Sequence, residues 1–246
     1  MSEGQLFKRC FYLFLIISTL LPIVVITASD SQGSGTIEVD GTQALLLMVI
    51  LLPRFVSHDP LEFYGLTWIL FQRINIWAML LMGIVLVAAA LPIGFLIPGF
   101  VDFVHVSPTI AHSQVNNQVF SNLSPWLTLL VAFFLTATQT LFEEALFRGL
   151  IQKMILLPRI LKNANPVIAL VSQAILFGAV HAFPLLRASS ATPIIVAWVF
   201  VYPALAGLFL GYISYHYNSI LPSWYIHWGG NFLAAILAVL APSLTW

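Results

Sequence analysis

Long apolar stretches separated by short polar ones set the pattern of this chain. A bilayer core of roughly 30 Å takes about 20 apolar residues per helix. Seven runs of about that size can be read: Phe11 to Ala28, Thr42 to Val56, Ile74 to Ile97, Trp126 to about Leu157, Pro166 to Leu186, Pro193 to Tyr217 and Ile220 to Pro242. They predict an all-α, polytopic membrane helix bundle of about seven transmembrane helices, eight being the alternative count. The second run is short and has Pro53 near its end. The first follows Lys8 and Arg9 and is read as a retained helix, because an uninterrupted apolar stretch over residues 11–26 is long for a cleaved signal. Lys and Arg collect on the cytoplasmic side of membrane proteins. With the amino terminus cytoplasmic, Lys8, Arg9, Arg54, Arg73, Arg148, Lys153, Arg159 and Lys162 fall on or near that side, and Arg187 alone falls outside.

Composition agrees with lipid as the solvent. The 246 residues are 60% hydrophobic and 7% charged, whereas soluble domains carry about 25% charged residues. Formal net charge is zero, and no basic patch points to nucleic acid. The single cysteine, Cys10, excludes an internal disulfide and a thiolate metal cluster. Its place beside Lys8 and Arg9 admits acylation, although an inert thiol is the simpler reading. The segment 98–124 is rich in Ser, Asn, Gln and Pro and carries His105 and His112, read as solvated loop histidines rather than a metal pair. No linker or long repeat divides the chain, so residues 1–246 are read as a single transmembrane domain. Its core is expected over 125–242, with peripheral helices and an external loop in 1–124.

Within this apolar background Glu143 and Glu144 stand out, because the other acidic residues lie in tails or loops. An ionisable group at membrane depth is costly and is a functional candidate by default. Glu144 and Arg148 are one helical turn apart, acid first, so they can neutralise each other. Glu143 points about 100° away, with no basic partner on its own helix. The next helix carries Phe177 and His181. If the two helices form a hairpin centred on Lys162, Glu143 and His181 each lie 19 residues from the centre (162 − 143 and 181 − 162) and so at similar depth. This requires the first helix to continue to about Leu157, with Pro158 as its stop. The last helix presents His227 and Asn231 one turn apart, around Gly229 and Gly230, which permit close approach of a neighbour or a substrate. Gly207 and Gly211 have the small-xxx-small spacing of closely packed membrane helices.

In order, Glu143-Glu144-x-x-x-Arg148, Phe177-x-x-x-His181 and His227-x-x-x-Asn231 resemble the three signature motifs of the CAAX protease and bacteriocin-processing (Abi) family of intramembrane endopeptidases. That family includes the type II CAAX prenyl endopeptidases. The resemblance covers about residues 125–242. It implies hydrolysis of a peptide bond in a membrane-associated or lipidated protein or peptide. Glu143 and His181 would activate water, His227 and Asn231 would stabilise the oxyanion, and Glu144, Arg148 and Phe177 would support them. No HExxH motif is present, and the metal-free scheme is favoured. Zinc held by Glu143, His181 and His227 is the alternative. Two other readings compete: a non-catalytic immunity or binding protein on the same scaffold, and a transporter whose buried Glu, Arg and His form a proton or substrate path.

Overall fold

The computed structural model describes residues 2–30, 59–98, 124–160, 166–187 and 191–240, and every element among them is helical. The expected span Thr42 to Val56, the histidines His105 and His112, and the hairpin centre Lys162 lie outside the described residues.

Helix α1 is Glu3–Asp30, and the short helices α2 (Pro60–Phe63) and α3 (Trp68–Arg73) precede α4 (Ile76–Phe95). Helix α5 (Pro125–Glu144) runs directly into a π-helical segment, Ala145–Ile160. Helix α6 (Pro166–Ala182) ends in a 3₁₀ turn over Phe183–Arg187, and α7 (Pro193–Tyr217) and α8 (Leu221–Leu240) complete the set. Among the described residues, three helical stretches are long and apolar enough to cross a membrane: Ile76–Gly94, Pro125–Lys153 and Pro193–Tyr217. Pro158 does not stop its helix as expected. The π-helical segment passes through it to Ile160, its i→i+5 pattern displacing the ordinary hydrogen-bond ladder from Ala145 onward.

Local sequence accounts for the ends of these helices. Ser124 caps α5 by accepting from the Leu127 N–H at 3.4 Å, with Pro125 in the first turn, where a missing N–H costs nothing. Asn75 caps α4 through the Ala78 N–H at 3.1 Å. Helix α7 ends at Asn218, which adopts the left-handed conformation (φ 48°, ψ 36°), while the Ser219 N–H reaches back to the Ser214 carbonyl at 3.0 Å; asparagine tolerates this cap well. Within α5, the hydroxyls of Thr136, Thr138 and Thr140 each donate to the carbonyl four residues earlier, which keeps these polar groups satisfied inside an apolar helix.

Three packing relations position the site. Helices α6 and α7 lie against each other, as do α8 and α4, and α8 also packs on α5. The α4–α8 contact depends on glycine. A Cβ at Gly83 would overlap the Ile226 carbonyl, and one at Gly229 would overlap the Leu80 carbonyl. The close approach that Gly229 permits is therefore to a neighbouring helix. Between α8 and α5, the indole N–H groups of Trp224 and Trp228 donate to the carbonyls of Ala137 and Phe133 at 2.9 and 3.2 Å. The opposite face of α4 shows Trp77, Leu81 and Val85, at least 56% exposed, an apolar stripe at four-residue spacing suited to lipid.

The amino-terminal end of α1 is tied to the segment before α2. Lys8 Nζ donates to Asp59 and, at 3.0 Å, to Glu62. Lys153 Nζ donates to the Phe63 carbonyl at 2.6 Å, and the Ile220 N–H donates to the Tyr64 carbonyl at 3.1 Å. One end of the bundle is thus held together by α1, the 59–66 segment, the π-helical segment and the α7–α8 turn.

Replacing Gly83 by Val should separate α4 from α8 and lower stability by about 1–3 kcal/mol, read as an earlier thermal unfolding transition in detergent. The same change at Gly4, where a Cβ meets nothing within 4 Å, should leave that transition in place. The Lys8 contact predicts a pH dependence. Partial burial opposes ionisation of Asp59, but the hydrogen bond from Lys8 and two backbone N–H groups outweigh it and hold the carboxyl below its ordinary 3.8. The hydrogen bonds to Asp59 and Glu62 raise Lys8 above 10.5. A lowered acid stabilises the fold above its unfolded value and loses that contribution as pH falls through the folded one; a raised base does so in the opposite sense. The tie should therefore persist between these limits, open below about pH 3.8 and above 10.5, and be lost at neutral pH in Asp59→Asn, as measured by hydrogen exchange over α1.

Candidate active site

Four helices converge on the acidic pair. The end of α5 supplies Glu143 and Glu144, the start of the π-helical segment Arg148, α6 Phe177 and His181, and α8 His227 and Asn231. The side chains of Glu144 and Arg148 are 0% exposed, those of Glu143 and His227 are 14% and 12% exposed, and that of His181 is 31% exposed. The site thus has a closed floor and a partly open rim.

The floor is the Glu144–Arg148 pair, with Arg148 Nη1 at 3.3 Å from Glu144 Oε1. Charge neutralisation is one part of its environment. The guanidinium carbon lies 4.3 Å from the centre of the Phe177 ring, within the range of an attractive cation–π contact. The Nη2 group donates to the Gly207 carbonyl at 3.5 Å. Gln173 Nε2 donates to the same carbonyl at 2.8 Å, and Gln152 Nε2 donates to the Gly211 carbonyl at 3.1 Å. A Cβ at Gly211 would collide with the Gln173 amide. Both glycines thus bring the α7 backbone within reach of polar side chains from two other helices, so the small-xxx-small spacing serves hydrogen bonding as well as packing.

At the rim, His181 and His227 face Glu143. Their Nε2 atoms lie 4.0 and 3.6 Å from Glu143 Oε2. Glu143 and His181 therefore come together, as the hairpin count expects, although the π-helical winding after Glu144 departs from the straight helix that the count assumes. Glu143 Oε1 accepts from Gln139 Nε2 at 3.4 Å, while Oε2 is buried without a hydrogen-bond partner among the described residues. His181 Nδ1 lies 2.8 Å from the Phe177 carbonyl. A carbonyl only accepts, so Nδ1 carries the proton and Nε2 turns toward Glu143.

His227 joins the two glutamates. Its Nδ1 is 2.9 Å from Glu144 Oε1 while its Nε2 faces Glu143. Consecutive carboxylates thus meet opposite sides of one imidazole. The sequence pairs Glu144 with Arg148 alone, and this second contact is visible only once α8 is docked on α5. Asn231 sits one turn further along α8, half-buried, with no side-chain hydrogen bond among the described residues. Gln139, Gln152 and Gln173 also escape the motif reading. Their signal was available, since each is an amide in an apolar helix and Gln139 lies one turn before Glu143.

Among the described residues, no group of three His, Cys, Asp or Glu side chains is disposed to hold a metal ion. Glu143, His181 and His227, the set considered for zinc, come together with the imidazole Nε2 atoms 4.0 and 3.6 Å from the carboxylate.

Residues 124–233 match the model of a protein family described as type II CAAX prenyl endopeptidase Rce1-like. The matched stretch runs from the α5 cap through Asn231 and so contains every residue of the cluster. No curated protein and no solved structure matches the chain.

Removing one member of a buried ion pair leaves the other charge uncompensated, at about 3–5 kcal/mol. Arg148→Met should therefore lower the thermal unfolding midpoint sharply. Adding Glu144→Gln to that variant should recover part of the loss, because the stranded carboxylate is gone. A double variant less stable than Arg148→Met would show that the two side chains are not coupled in this way.

Proposed function

We propose that, like the family its residues 124–233 match, this chain is an intramembrane endopeptidase. In this reading it hydrolyses a peptide bond in a membrane-associated or lipidated, CAAX-like protein. The observation that carries the proposal is the arrangement at Glu143 Oε2, faced by two imidazole Nε2 atoms at 4.0 and 3.6 Å. Such separations suit a single water held between carboxylate and imidazole. Gln139 holds the other oxygen, which directs the reactive one.

The roles follow from the atoms. Glu143 accepts a proton from water as its oxygen attacks the scissile carbonyl carbon, and His181 Nε2 orients that water. The new C–O bond leaves the carbonyl oxygen as an oxyanion. Asn231 Nδ2–H and His227 Nε2–H are its donors. Because Nδ1–H is directed at Glu144, the scheme calls for His227 as an imidazolium when Nε2 donates, its ring held by Glu144 as by the buried acid of a catalytic triad. Glu143 then passes its proton to the leaving amine, and the C–N bond breaks. The two carboxylates, Arg148 and the imidazolium sum to zero charge, as a cluster surrounded by lipid requires. The scheme uses only the chain's own side chains, and Glu143 is its general base.

The decisive experiment is cleavage of a membrane-anchored, prenylated peptide library by the purified, reconstituted protein. Glu143→Gln should lower kcat about 10²–10⁴-fold without moving the unfolding midpoint. Asn231→Ala should cost about 10²–10³-fold in kcat. Activity should survive exhaustive chelation, with no stoichiometric metal found by elemental analysis. Full cleavage by Glu143→Gln would refute the assignment, and activity lost in chelator and restored by zinc would replace it with the metal scheme.

A further inference from the structure

A second polar cavity lies behind the floor of the site. Of about 390 Å³, it opens at the α7–α8 turn and is lined by Arg148, Gln152, Lys153, Ser214, His216 and Ser219, among others. None of its lining residues is acidic. Arg148 is balanced by Glu144, but Lys153 has no carboxylate within ion-pair distance among the described residues. Its Nζ donates to the Phe63 carbonyl and stands 5.4 Å from the Phe63 ring centre. Two further observations point to a ligand. Arg148 and Gln152 are 1% and 2% exposed, and Arg148 Nε and Gln152 Oε1 are buried without hydrogen-bond partners. Buried polar atoms of this kind call for a bound group or ordered water.

The mouth of the cavity shows what kind of group. Around the turn, Tyr212, Tyr215 and Tyr217 are exposed, the aromatic signature of a membrane–water boundary. The inner end is closed by the fully buried Arg148–Glu144 pair, so a peptide held at Glu143 cannot run through to Lys153. A ligand entering from the boundary meets a lysine without a counter-ion, a setting in which basic pockets between membrane helices take anionic head groups. The geometry points to a lipid site, in which Lys153 binds the phosphate of an anionic membrane lipid at the α7–α8 turn, separate from the catalytic cluster. The Lys153–Phe63 bond makes such a lipid a link between the π-helical segment and the segment 59–66.

The test is the thermal unfolding of the full chain in neutral detergent, titrated with phosphatidylglycerol or with phosphatidylcholine. A ligand that binds only the folded state raises the midpoint with concentration, so phosphatidylglycerol should raise it and phosphatidylcholine should not. Lys153→Gln can still donate to Phe63 and should abolish the rise, whereas Lys153→Arg should keep it. His216→Glu, on the exposed rim, places a negative charge at the mouth without disturbing the interior. It should weaken the response about fivefold, the equivalent of roughly 1 kcal/mol per charge, and it decides the matter if Lys153→Gln does not fold. An undiminished rise in both Lys153→Gln and His216→Glu would overturn the proposal. So would an equal rise with inorganic phosphate or with a free peptide carboxylate.

Discussion

Everything at the centre of this bundle follows from the need to hold a guanidinium charge where water is scarce. Arg148 carries five donors that cannot be deprotonated away. Glu144 supplies the opposite charge, Phe177 a ring face and Gly207 a carbonyl. A Cβ at Gly207 would press on Phe177 at 3.1 Å, so the glycine eases the approach of α7 that brings this carbonyl within reach. Gln173 shares the same acceptor, and Gln152 uses the equivalent carbonyl one turn on at Gly211. The contact of α6 with α7 is accordingly one of hydrogen bonds through glycine backbone as much as of apolar packing, as expected where lipid offers helices no hydrophobic reason to associate.

The cluster assigned to chemistry is built on this structural pair. Glu144 is shared between Arg148 and His227, so the buried ion pair also orients the imidazole that faces Glu143. A role that is structural on one side and positioning on the other explains why the two glutamates are adjacent in sequence. Adjacent residues on a helix diverge by about 100°, which lets one carboxylate face the protein interior and the other the open rim, with a single ring between them.

Much of this was legible in the residues. Charged side chains inside an apolar run are few enough to be noticed singly, and the four-residue spacings of Glu144 with Arg148, Phe177 with His181 and His227 with Asn231 locate them on helix faces. The symmetric distance of Glu143 and His181 from residue 162 suggests a similar depth, although the count assumes an ordinary helical rise that the π-helical segment does not have. What could not be read depends on docking. Nothing local to Glu144 points to His227, 83 residues away. Gly229 is ambiguous until α4 is seen against it. The π-helical winding leaves no mark in composition, and Pro158, an ordinary helix stop, lies within it.

The difference in burial between the two glutamates bears on how a hydrolysis can be run in lipid. A carboxylate that must take up and release a proton in each cycle cannot be locked in permanent bonds, since every strong partner in its ionised form raises the cost of protonating it. Glu144, with Arg148 and His227 on one oxygen, is fully buried and suited to holding. Glu143 has an amide on one oxygen, two imidazoles at longer range on the other and a side chain that is not fully buried. The same helix turn thereby supplies one fully buried carboxylate suited to holding and another, less tightly bound, that the proposed scheme uses as its base.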